Sequence, residues 1–241
     1  MRLTEGFAAA QRLLPDSVEK AIGRSKLLKP LRDKLLRPEG RERIEQERIK
    51  WECFEFEMFA PPRVLVRARR GIENRVCRLI LSECKPGSTA LDVGANYGFV
   101  TLTAAQRAHV VSVECEPQIC AALRRSVEAN GLDCEVIEAF AGDTPDTLRI
   151  DSLNRSFGVI KIDVDGPDYE VLCGAVGTIE KHHPAIVIET ETKAAEIYRF
   201  LSERYPVVRT MEGLSIVEPY PKTMVASTRP FKVPPRGSLR Q

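Results

Sequence analysis

The hydrophobic residues change their spacing repeatedly along the chain from about residue 71 onward. Apolar residues at every third or fourth position indicate amphipathic helices, whereas short continuous apolar runs are typical of strands buried on both faces of a sheet. The two patterns alternate, which predicts βαβ units and therefore a parallel sheet. Seven strands are expected, at 89–93, 109–113, 134–140, 158–163, 185–189, 205–210 and 223–227.

Helices are expected before and between these strands. One runs through Val76, and another has Pro117 in its first turn and ends near Gly131. Proline is tolerated where a helix begins, and glycine is favoured just after it ends. Two more helices are expected at 168–181 and 192–203. The predicted fold is α/β, with flanking helices on a seven-stranded, mostly parallel sheet whose last two strands can include an antiparallel one.

The first sixty residues are interpreted as helical pieces that precede the sheet. Asp16 and Glu19 resemble a capping pair that opens a helix, and Pro30 can begin a second one. Pro61 and Pro62 then mark a boundary. The predicted division is a basic helical N-terminal extension at 1–60, a sheet-containing domain at 61–228 and a basic C-terminal tail at 229–241.

Charge is spread unevenly, although the formal net charge is only +2. Residues 1–37 carry nine Lys and Arg against four Asp and Glu, and residues 219–241 carry five basic residues and no acidic one. Basic ends on an acidic body fit peripheral contact of residues 1–37 with an anionic membrane or a protein partner, with solvated ends as the plainer alternative. A nucleic-acid partner is not expected, because its groove would need basic residues clustered within the fold.

The composition favours a soluble protein with reduced thiols. No apolar run approaches the ~18 residues that a membrane span requires, and the first residues lack the apolar stretch of a signal peptide. The seven cysteines are odd in number, include no CxxC pair and mostly lie among apolar residues, which argues against disulfides and zinc. The sequence therefore predicts a cytoplasmic protein that could lie at a membrane periphery.

The first specific motif is a glycine turn between a strand and a helix. Residues 91–102 read LDVGANYGFVTL, an apolar strand followed by Asp92-x-Gly94-x-x-x-Gly98 and then a helix. Such a turn points free helix N–H groups at a nucleotide-like ligand. Glu114 stands twenty residues after Gly94, at the end of the next apolar run, where a carboxylate can accept hydrogen bonds from a ribose diol.

The glycine spacing distinguishes between two nucleoside cofactors. A dinucleotide fold requires GxGxxG, and Asn96 occupies the place of the second glycine. The motif therefore favours S-adenosylmethionine over NAD, and an NAD-dependent oxidoreductase is the disfavoured interpretation.

A second motif, VIKIDVDGPDYEVLCGA at 159–175, places charged residues in a buried strand. Alternation puts Lys161 on the same face as Asp163, and a buried lysine needs a partner, so an ion pair between them is predicted. The pair should lie at the carboxyl edge of the sheet, where ligands bind in open α/β folds. A turn follows at Asp165, and Asp168 is expected to cap the next helix.

These motifs together resemble the FkbM-type S-adenosylmethionine-dependent methyltransferases. The resemblance runs from about residue 71 to 227 and rests on LDVGANYGF, VECEP with a following helix that ends in ANGL, TLRIDSL, KIDVDG with VLCGA, and HPAIVIE. The chain departs from the family pattern in having aspartate at 165 and 168, where glutamate is common, and in its long basic N-terminal region. The resemblance implies a class I methyltransferase fold, which is Rossmann-like.

The resemblance also implies methyl transfer from S-adenosylmethionine to a hydroxyl of a glycan, a lipid-linked sugar or a small natural product. A non-catalytic cofactor-binding protein with a basic helical docking segment is the alternative. The residues expected around the methionine part of the cofactor are Glu73, Asp92, Gly94, Ala95, Asn96 and Gly98, with Glu114 at the ribose and Ala141 and Asp143 near the adenine.

Methylation of an alcohol requires loss of its proton, and hence a general base. Asp163 is the first candidate and Asp165 the second, while Lys161 would orient Asp163 or stabilise the developing alkoxide. The three histidines are better explained by structural roles. The carboxylates of Asp163, Asp165 and Glu189 could hold a divalent cation, but structural roles are available for each, so a metal is not favoured.

Overall fold

The computed structural model describes residues 43–190 and 192–239. The helices predicted around Asp16 and Pro30, and the basic stretch 1–37, lie outside the described residues. The elements below all belong to the unit Ile44–Gln241. No helix in the described ranges is long and apolar enough to cross a membrane.

A seven-stranded sheet forms the centre of the fold, as predicted. Its strands are β3 (Thr89–Val93), β4 (His109–Glu114), β5 (Cys134–Glu138), β6 (Val159–Ile162), β7 (Ala185–Glu189), β8 (Val207–Thr210) and β9 (Thr223–Ser227), and they follow β1 (Glu45–Trp51) and β2 (Phe54–Ala60). The strand order is β5-β4-β3-β6-β7-β9-β8. β9 is antiparallel to both of its neighbours, and the other pairings in the sheet are parallel.

Helices pack on both faces of the sheet. They are α1 (Pro62–Arg69), α2 (Asn74–Glu83), α3 (Phe99–Ala104), α4 (Pro117–Asn130), α5 (Asp168–Cys173), α6 (Val176–His182) and α7 (Ala194–Ser202), with a 3-10 turn at Ile150–Leu153. The single helix predicted at 168–181 is therefore two helices. The chain breaks between them because the Gly174 carbonyl accepts a hydrogen bond from the Asp151 N–H (3.0 Å), outside any helical pattern.

Two hydrophobic layers cover the sheet. Ala90, Val110 and Val159 point into a layer formed with α1 to α4. The neighbouring residues Leu91 and Ile160 point into the opposite layer, formed with α5 to α7. Successive residues of each strand therefore bury themselves on opposite faces, which explains why the strands read as continuous apolar runs.

The expectation of helices throughout residues 1–60 is wrong for residues 45–60, where β1 and β2 form an antiparallel hairpin. In the β2 sequence FEFEMFA, the buried residues Phe54, Phe56 and Met58 alternate with glutamates. This period of two is that of a strand. The glutamates on the opposite face give the segment a charged sequence, which hides the alternation.

The hairpin docks onto α4 through polar side chains. The Phe59 N–H donates to Ser126 Oγ (2.9 Å), and the Asn130 amide exchanges two hydrogen bonds with the Glu57 backbone (2.8 and 2.7 Å). These bonds satisfy part of the edge of β2, which would otherwise expose unpaired backbone groups. The boundary predicted at Pro61–Pro62 therefore falls within the packed unit.

The C-terminal segment predicted as a tail lies against the same layer through residue 239. Phe231 and Val233 pack on the cluster that contains the hairpin. The carboxylate of Glu52, at the hairpin turn, accepts the Gly237 N–H (2.6 Å) and pairs with Arg78 of α2 (3.1 Å). One acidic side chain thus joins the hairpin, the helix and the C-terminal segment.

Phe56 tests whether the hairpin belongs to the core. Its side chain is 2% exposed, and its ring meets that of Phe99 edge-on at 5.8 Å. Phe56→Ala is expected to lower the free energy of unfolding by about 3–5 kcal/mol, because it removes a packed aromatic ring. Phe140→Ala, at a position 68% exposed, is the matched control and should change that free energy by less than about 0.5 kcal/mol. Urea denaturation measures both, and equal effects would contradict the packing of the hairpin.

Candidate functional site

The candidate site lies at the carboxyl edge of the sheet, between β3 and β6. The strand order reverses there, because β4 and β5 continue from one side of β3 while β6 and β7 continue from the other. Ligands bind open α/β sheets at such switch points. The glycine turn follows β3 and the Lys161 motif spans the end of β6, so the structure brings the two predicted motifs together.

The glycine turn requires glycine because of its backbone and its neighbours. Gly94 has a φ of +76°, and a Cβ there would overlap the backbone carbonyl of Asp163. Gly98 has a φ of +85° where it precedes α3. The N–H groups of Gly94 and Ala95 donate to the Val113 carbonyl (2.9 and 3.1 Å). The turn is therefore held tightly between the ends of β4 and β6.

A row of polar side chains crosses three strands below this turn. Ser112, Asp92 and Lys161 are register partners on β4, β3 and β6. Thr101 of α3 donates to Asp92 Oδ2 (2.7 Å), and Lys161 Nζ lies 3.3 Å from Asp92 Oδ1. Asp92 is 2% exposed, so it supports the turn from within the core. Neither Thr101 nor Ser112 is among the residues predicted from the sequence. The available sign for Ser112 was a hydroxyl inside an apolar strand, and Thr101, in α3, had no such sign.

Lys161 ties the turn to the sheet. Its Nζ donates to the Gly94 carbonyl (2.9 Å) and lies 3.5 Å from Asp163 Oδ2, so the predicted ion pair is present. Burial of the ammonium acts to lower the pKa of Lys161, but the carboxylates of Asp92, Glu73 and Asp163 outweigh it and raise the pKa above its ordinary value. The lysine is therefore charged at neutral pH.

Glu73 adds a third carboxylate to this cluster. It precedes α2 with a φ of 52°, and its buried Oε2 has no hydrogen-bond partner among the described residues. Burial raises the pKa of Glu73; Lys161 opposes the shift, and Asp92 and Asp163 add to it. A buried carboxylate oxygen is costly unless a donor reaches it, so this atom is suited to a ligand's hydrogen-bond donor or cation.

Glu114 orders the other side of the turn. One of its oxygens accepts the Asn96 N–H (2.8 Å), and the other accepts the N–H groups of Cys115 and Glu116 (2.8 and 2.9 Å). A carboxylate offers about four lone-pair directions, so these three bonds leave capacity for one more donor. The assignment of Glu114 to a ribose stays a prediction, and its geometry accommodates it.

Ala141 and Asp143 lie in the segment that follows β5. The Ala139 N–H donates to the Glu114 carbonyl (2.9 Å), so this segment starts beside the end of β4. Asp143 forms an ion pair with Arg149. Their placement near an adenine stays a prediction.

The two aspartates of the turn after β6 have different surroundings. Asp165 is exposed and has a φ of 53°. Asp168 does not cap α5, contrary to expectation, because the N-cap position is Pro167 and Asp168 is the first helical residue. Its buried carboxylate instead accepts the Val164 N–H (3.1 Å) and closes the turn. Burial raises the pKa of Asp168.

His109 stands apart from this cluster, whereas Glu189 lies at the same edge of the sheet as Asp163. His109 begins β4, at the opposite edge of the sheet, and pairs with Asp133 (2.8 Å). Glu189 ends β7 beside Thr223 of β9. In the ranges that the structure describes, no group of three or more His, Cys, Asp or Glu side chains could hold a metal ion. All seven cysteines fall in these ranges and are free thiols.

Comparison with known protein families confirms the resemblance drawn from the motifs. The family model described as the methyltransferase FkbM domain matches residues 133–205, which contain β5, β6, β7 and the Lys161 motif. The glycine turn and Glu114 lie before the matched segment. No curated protein matches the chain by sequence.

Solved structures share the fold. A TehB-like S-adenosylmethionine-dependent methyltransferase from Corynebacterium glutamicum is 14% identical, with 68% of this chain and 92% of that chain covered and a TM-score of 0.51. This likeness confirms the class I methyltransferase fold. Also similar is a 16S rRNA methyltransferase from T. thermophilus, at 20% identity, with 78% of this chain and 50% of that chain covered and a TM-score of 0.48. Methyltransferase FkbM from Methylobacillus flagellatus is 18% identical, with 58% of this chain and 43% of that chain covered and a TM-score of 0.45. The chain spans half or less of the length of these last two proteins.

Lys161→Met tests the buried ion cluster. The variant leaves Asp92 buried without its cation, so the free energy of unfolding should fall by about 3–5 kcal/mol. Lys193→Met is the matched control, because Lys193 pairs with Glu170 at the exposed surface, and it should have a much smaller effect. Urea denaturation at neutral pH measures both variants. If the two substitutions cost the same, Lys161 does not hold the turn.

Proposed function

We propose that the chain is an S-adenosylmethionine-dependent methyltransferase that methylates a hydroxyl oxygen of a glycan, a lipid-linked sugar or a small natural product. The class I fold and the match of residues 133–205 to the FkbM domain model support methyl transfer. The transfer to oxygen, and the acceptor class, rest on the resemblance to the FkbM family. The observation that carries the proposal is the glycine turn that Lys161 and Glu114 fix at the switch point of the sheet.

The charge of the site fits the cofactor. S-adenosylmethionine carries a sulfonium and an ammonium, and when bound it supplies an electrophilic methyl group. Glu73, Asp92 and Asp163 surround one lysine, so the cluster has an excess of negative charge that can stabilise a bound cation. The free capacity of Glu114 suits a ribose hydroxyl.

The residues of the chain would contribute mainly by positioning and by proton transfer. Hydrogen bonds to Val113, Lys161 and Glu114 hold the turn that starts at Gly94, and a site held in place saves the entropy of aligning the reactants. A carboxylate at the same edge would accept the hydroxyl proton. Asp163 is the candidate proposed from the sequence, and Lys161 would orient it through their 3.5 Å ion pair.

Binding of S-adenosylhomocysteine tests the cofactor assignment. Glu114→Ala should weaken binding roughly 10- to 150-fold, since a hydrogen bond to a charged group contributes about 1.5–3 kcal/mol. Glu116→Ala removes an exposed carboxylate two residues away and should leave the affinity within threefold. Titration calorimetry measures both, after thermal melting has shown that the variants are folded. Unchanged affinity in Glu114→Ala would reject the ribose assignment.

Turnover tests the reaction itself. The full chain should transfer labelled methyl groups from S-adenosylmethionine to at least one member of a panel of methyl glycosides, sugar alcohols, phenols and aliphatic alcohols. The methyl group should be recovered as an ether, which mass spectrometry identifies. Tight binding of S-adenosylhomocysteine without transfer to any member would favour the non-catalytic alternative. Binding of NAD in preference to S-adenosylhomocysteine in a thermal-shift assay would reject both.

A further inference from the structure

A cavity of about 460 Å³ opens at the carboxyl edge of the sheet, between the start of α2 and the connection from β8 to β9. Its wall includes Glu73 and Arg75 on one side, and Met211, Lys222 and Thr223 on the other. This volume lies within the range of small-molecule sites, and the lining mixes charged, hydroxyl and apolar groups. The glycine turn and Glu114 are not part of the lining, so the cavity is separate from the predicted ribose end of the cofactor site.

Glu73 belongs both to this cavity and to the buried ion cluster. It lines the cavity wall, and its carboxyl group interacts electrostatically with Lys161, Asp92 and Asp163. Its Oε2 is buried and has no hydrogen-bond partner among the described residues. One carboxylate is therefore placed between the cluster that would face a cationic cofactor and the space that can hold an acceptor.

The other carboxylates near this edge are less suited to receive a proton from a molecule in the cavity. Asp163 is paired with Lys161 (3.5 Å), and Asp92 is bound by both Lys161 and Thr101. Glu212 lines the cavity but forms an ion pair with Arg75. Asp165 does not contribute to the lining.

The position of Glu73 is fixed by its surroundings. Glu73 takes the left-handed conformation directly before α2, and the next residue, Asn74, accepts a hydrogen bond from the Trp51 indole N–H. Trp51 ends β1 and packs edge-on against Phe99 (6.1 Å). A non-glycine residue keeps this backbone conformation only where its surroundings enforce it. The hairpin therefore locates the carboxylate.

We infer that the cavity is the acceptor site and that Glu73, rather than Asp163, is the general base; the inference rests on the proposed methyl transfer. In the step, the acceptor oxygen forms a bond to the methyl carbon while the carbon–sulfur bond breaks, with its electron pair remaining on sulfur. The acceptor O–H bond breaks and its proton passes to the Glu73 carboxylate. The products are a methyl ether, S-adenosylhomocysteine and a protonated Glu73, which releases its proton to water.

The electrostatic environment agrees with this role. The groups that face Glu73 are Lys161, Asp92, Asp163 and Arg67, and with burial their sum raises the pKa of Glu73 above that of an exposed glutamate. A raised pKa makes a carboxylate a stronger base. Because the base must be ionised, the rate should rise with pH as Glu73 loses its proton and should then level off.

The test compares Glu73→Gln, Asp163→Asn and Glu128→Gln in the full chain, with the acceptor found in the hydroxyl panel. Glu128 is an exposed residue of α4 and provides the control. We expect Glu73→Gln to lower kcat by roughly 10²–10⁴-fold and to lose the rise of rate with pH, while the Kd for S-adenosylhomocysteine, which lacks the sulfonium charge, changes far less than kcat. Thermal melting checks that each variant is folded.

A second pair of variants tests the cavity independently of Glu73. Lys222 is exposed at its wall, so Lys222→Trp should fold normally, narrow the cavity and raise the KM for the acceptor at least fivefold while leaving the affinity for S-adenosylhomocysteine unchanged. Lys232→Trp, at an exposed position away from the cavity, is the control.

The outcomes separate this inference from the proposed function. A folded Glu73→Gln variant with wild-type kcat would overturn the assignment. A loss of affinity for S-adenosylhomocysteine as large as the loss of kcat would also overturn it and return Glu73 to the cofactor site. Loss of turnover in Asp163→Asn but not in Glu73→Gln would make Asp163 the base. An unchanged acceptor KM in Lys222→Trp would reject the cavity as the acceptor site. If the wild-type chain transfers methyl groups to no member of the panel, the proposed function fails instead.

Discussion

The candidate site depends on one buried ammonium group. Lys161 reaches from near the end of β6 to the carbonyl of Gly94 (2.9 Å) and has Asp92 and Asp163 within 3.5 Å. A lysine in the middle of a hydrophobic sheet is tolerated only because these groups replace its water. The arrangement fixes the glycine turn to the neighbouring strand, which a hydrophobic side chain at the same position could not do. The ion cluster therefore positions a backbone turn, at a cost in folding free energy relative to a hydrophobic core at the same place.

The same lysine accounts for the electrostatics of the edge. One positive charge is shared among three carboxylates, so at least one of them is incompletely neutralised. Among the described residues, a buried oxygen of Glu73 and one of Asp92 lack a hydrogen-bond partner, and the Asp92 oxygen lies 3.3 Å from the Lys161 ammonium. Such an imbalance is a stable feature only where solvent or a ligand compensates it. The site thus has a negative potential on the side where a sulfonium would lie, and the glycine turn provides the rigid wall against which it would pack.

Much of the fold could be predicted because the strands are buried on both faces, so their sequences are continuous apolar runs between turn residues. The seven strands and the Lys161–Asp163 pair followed from the spacing of apolar and charged residues, whereas the sequence left open whether the last two strands include an antiparallel one. The hairpin at 45–60 did not, because its outer face carries glutamate and lysine and its partner, α4, is distant in sequence. The helix break at Gly174 likewise depends on a hydrogen bond with a distant segment, at Asp151. The turn closed by Asp168 depends on a hydrogen bond within a loop, from the Val164 N–H.

The features of the site that the sequence could not predict also depend on contacts between distant segments. The sequence located the glycine turn, Glu114 and Lys161, since each lies in a local motif. It could not show that Asp92 is a second partner of Lys161, because that contact depends on the register of β3 against β6. Nor could it show the cavity beside Glu73. Its walls come from residues 73–76, 211–212 and 221–223, which meet only in the folded chain. Motifs reveal local chemistry, whereas a cavity between distant segments requires the fold.

The proposed function requires that the turn held by Lys161 form one wall of a site for S-adenosylmethionine at the switch point of the sheet. A crystal structure of the full chain with S-adenosylhomocysteine tests this most directly. We expect the product to lie at the carboxyl ends of β3 and β4, with a ribose hydroxyl within hydrogen-bond distance of Glu114 and the amino acid end beside the glycine turn. Binding at any other edge of the sheet, or a complex in which the turn has left the Lys161 ammonium, would contradict it.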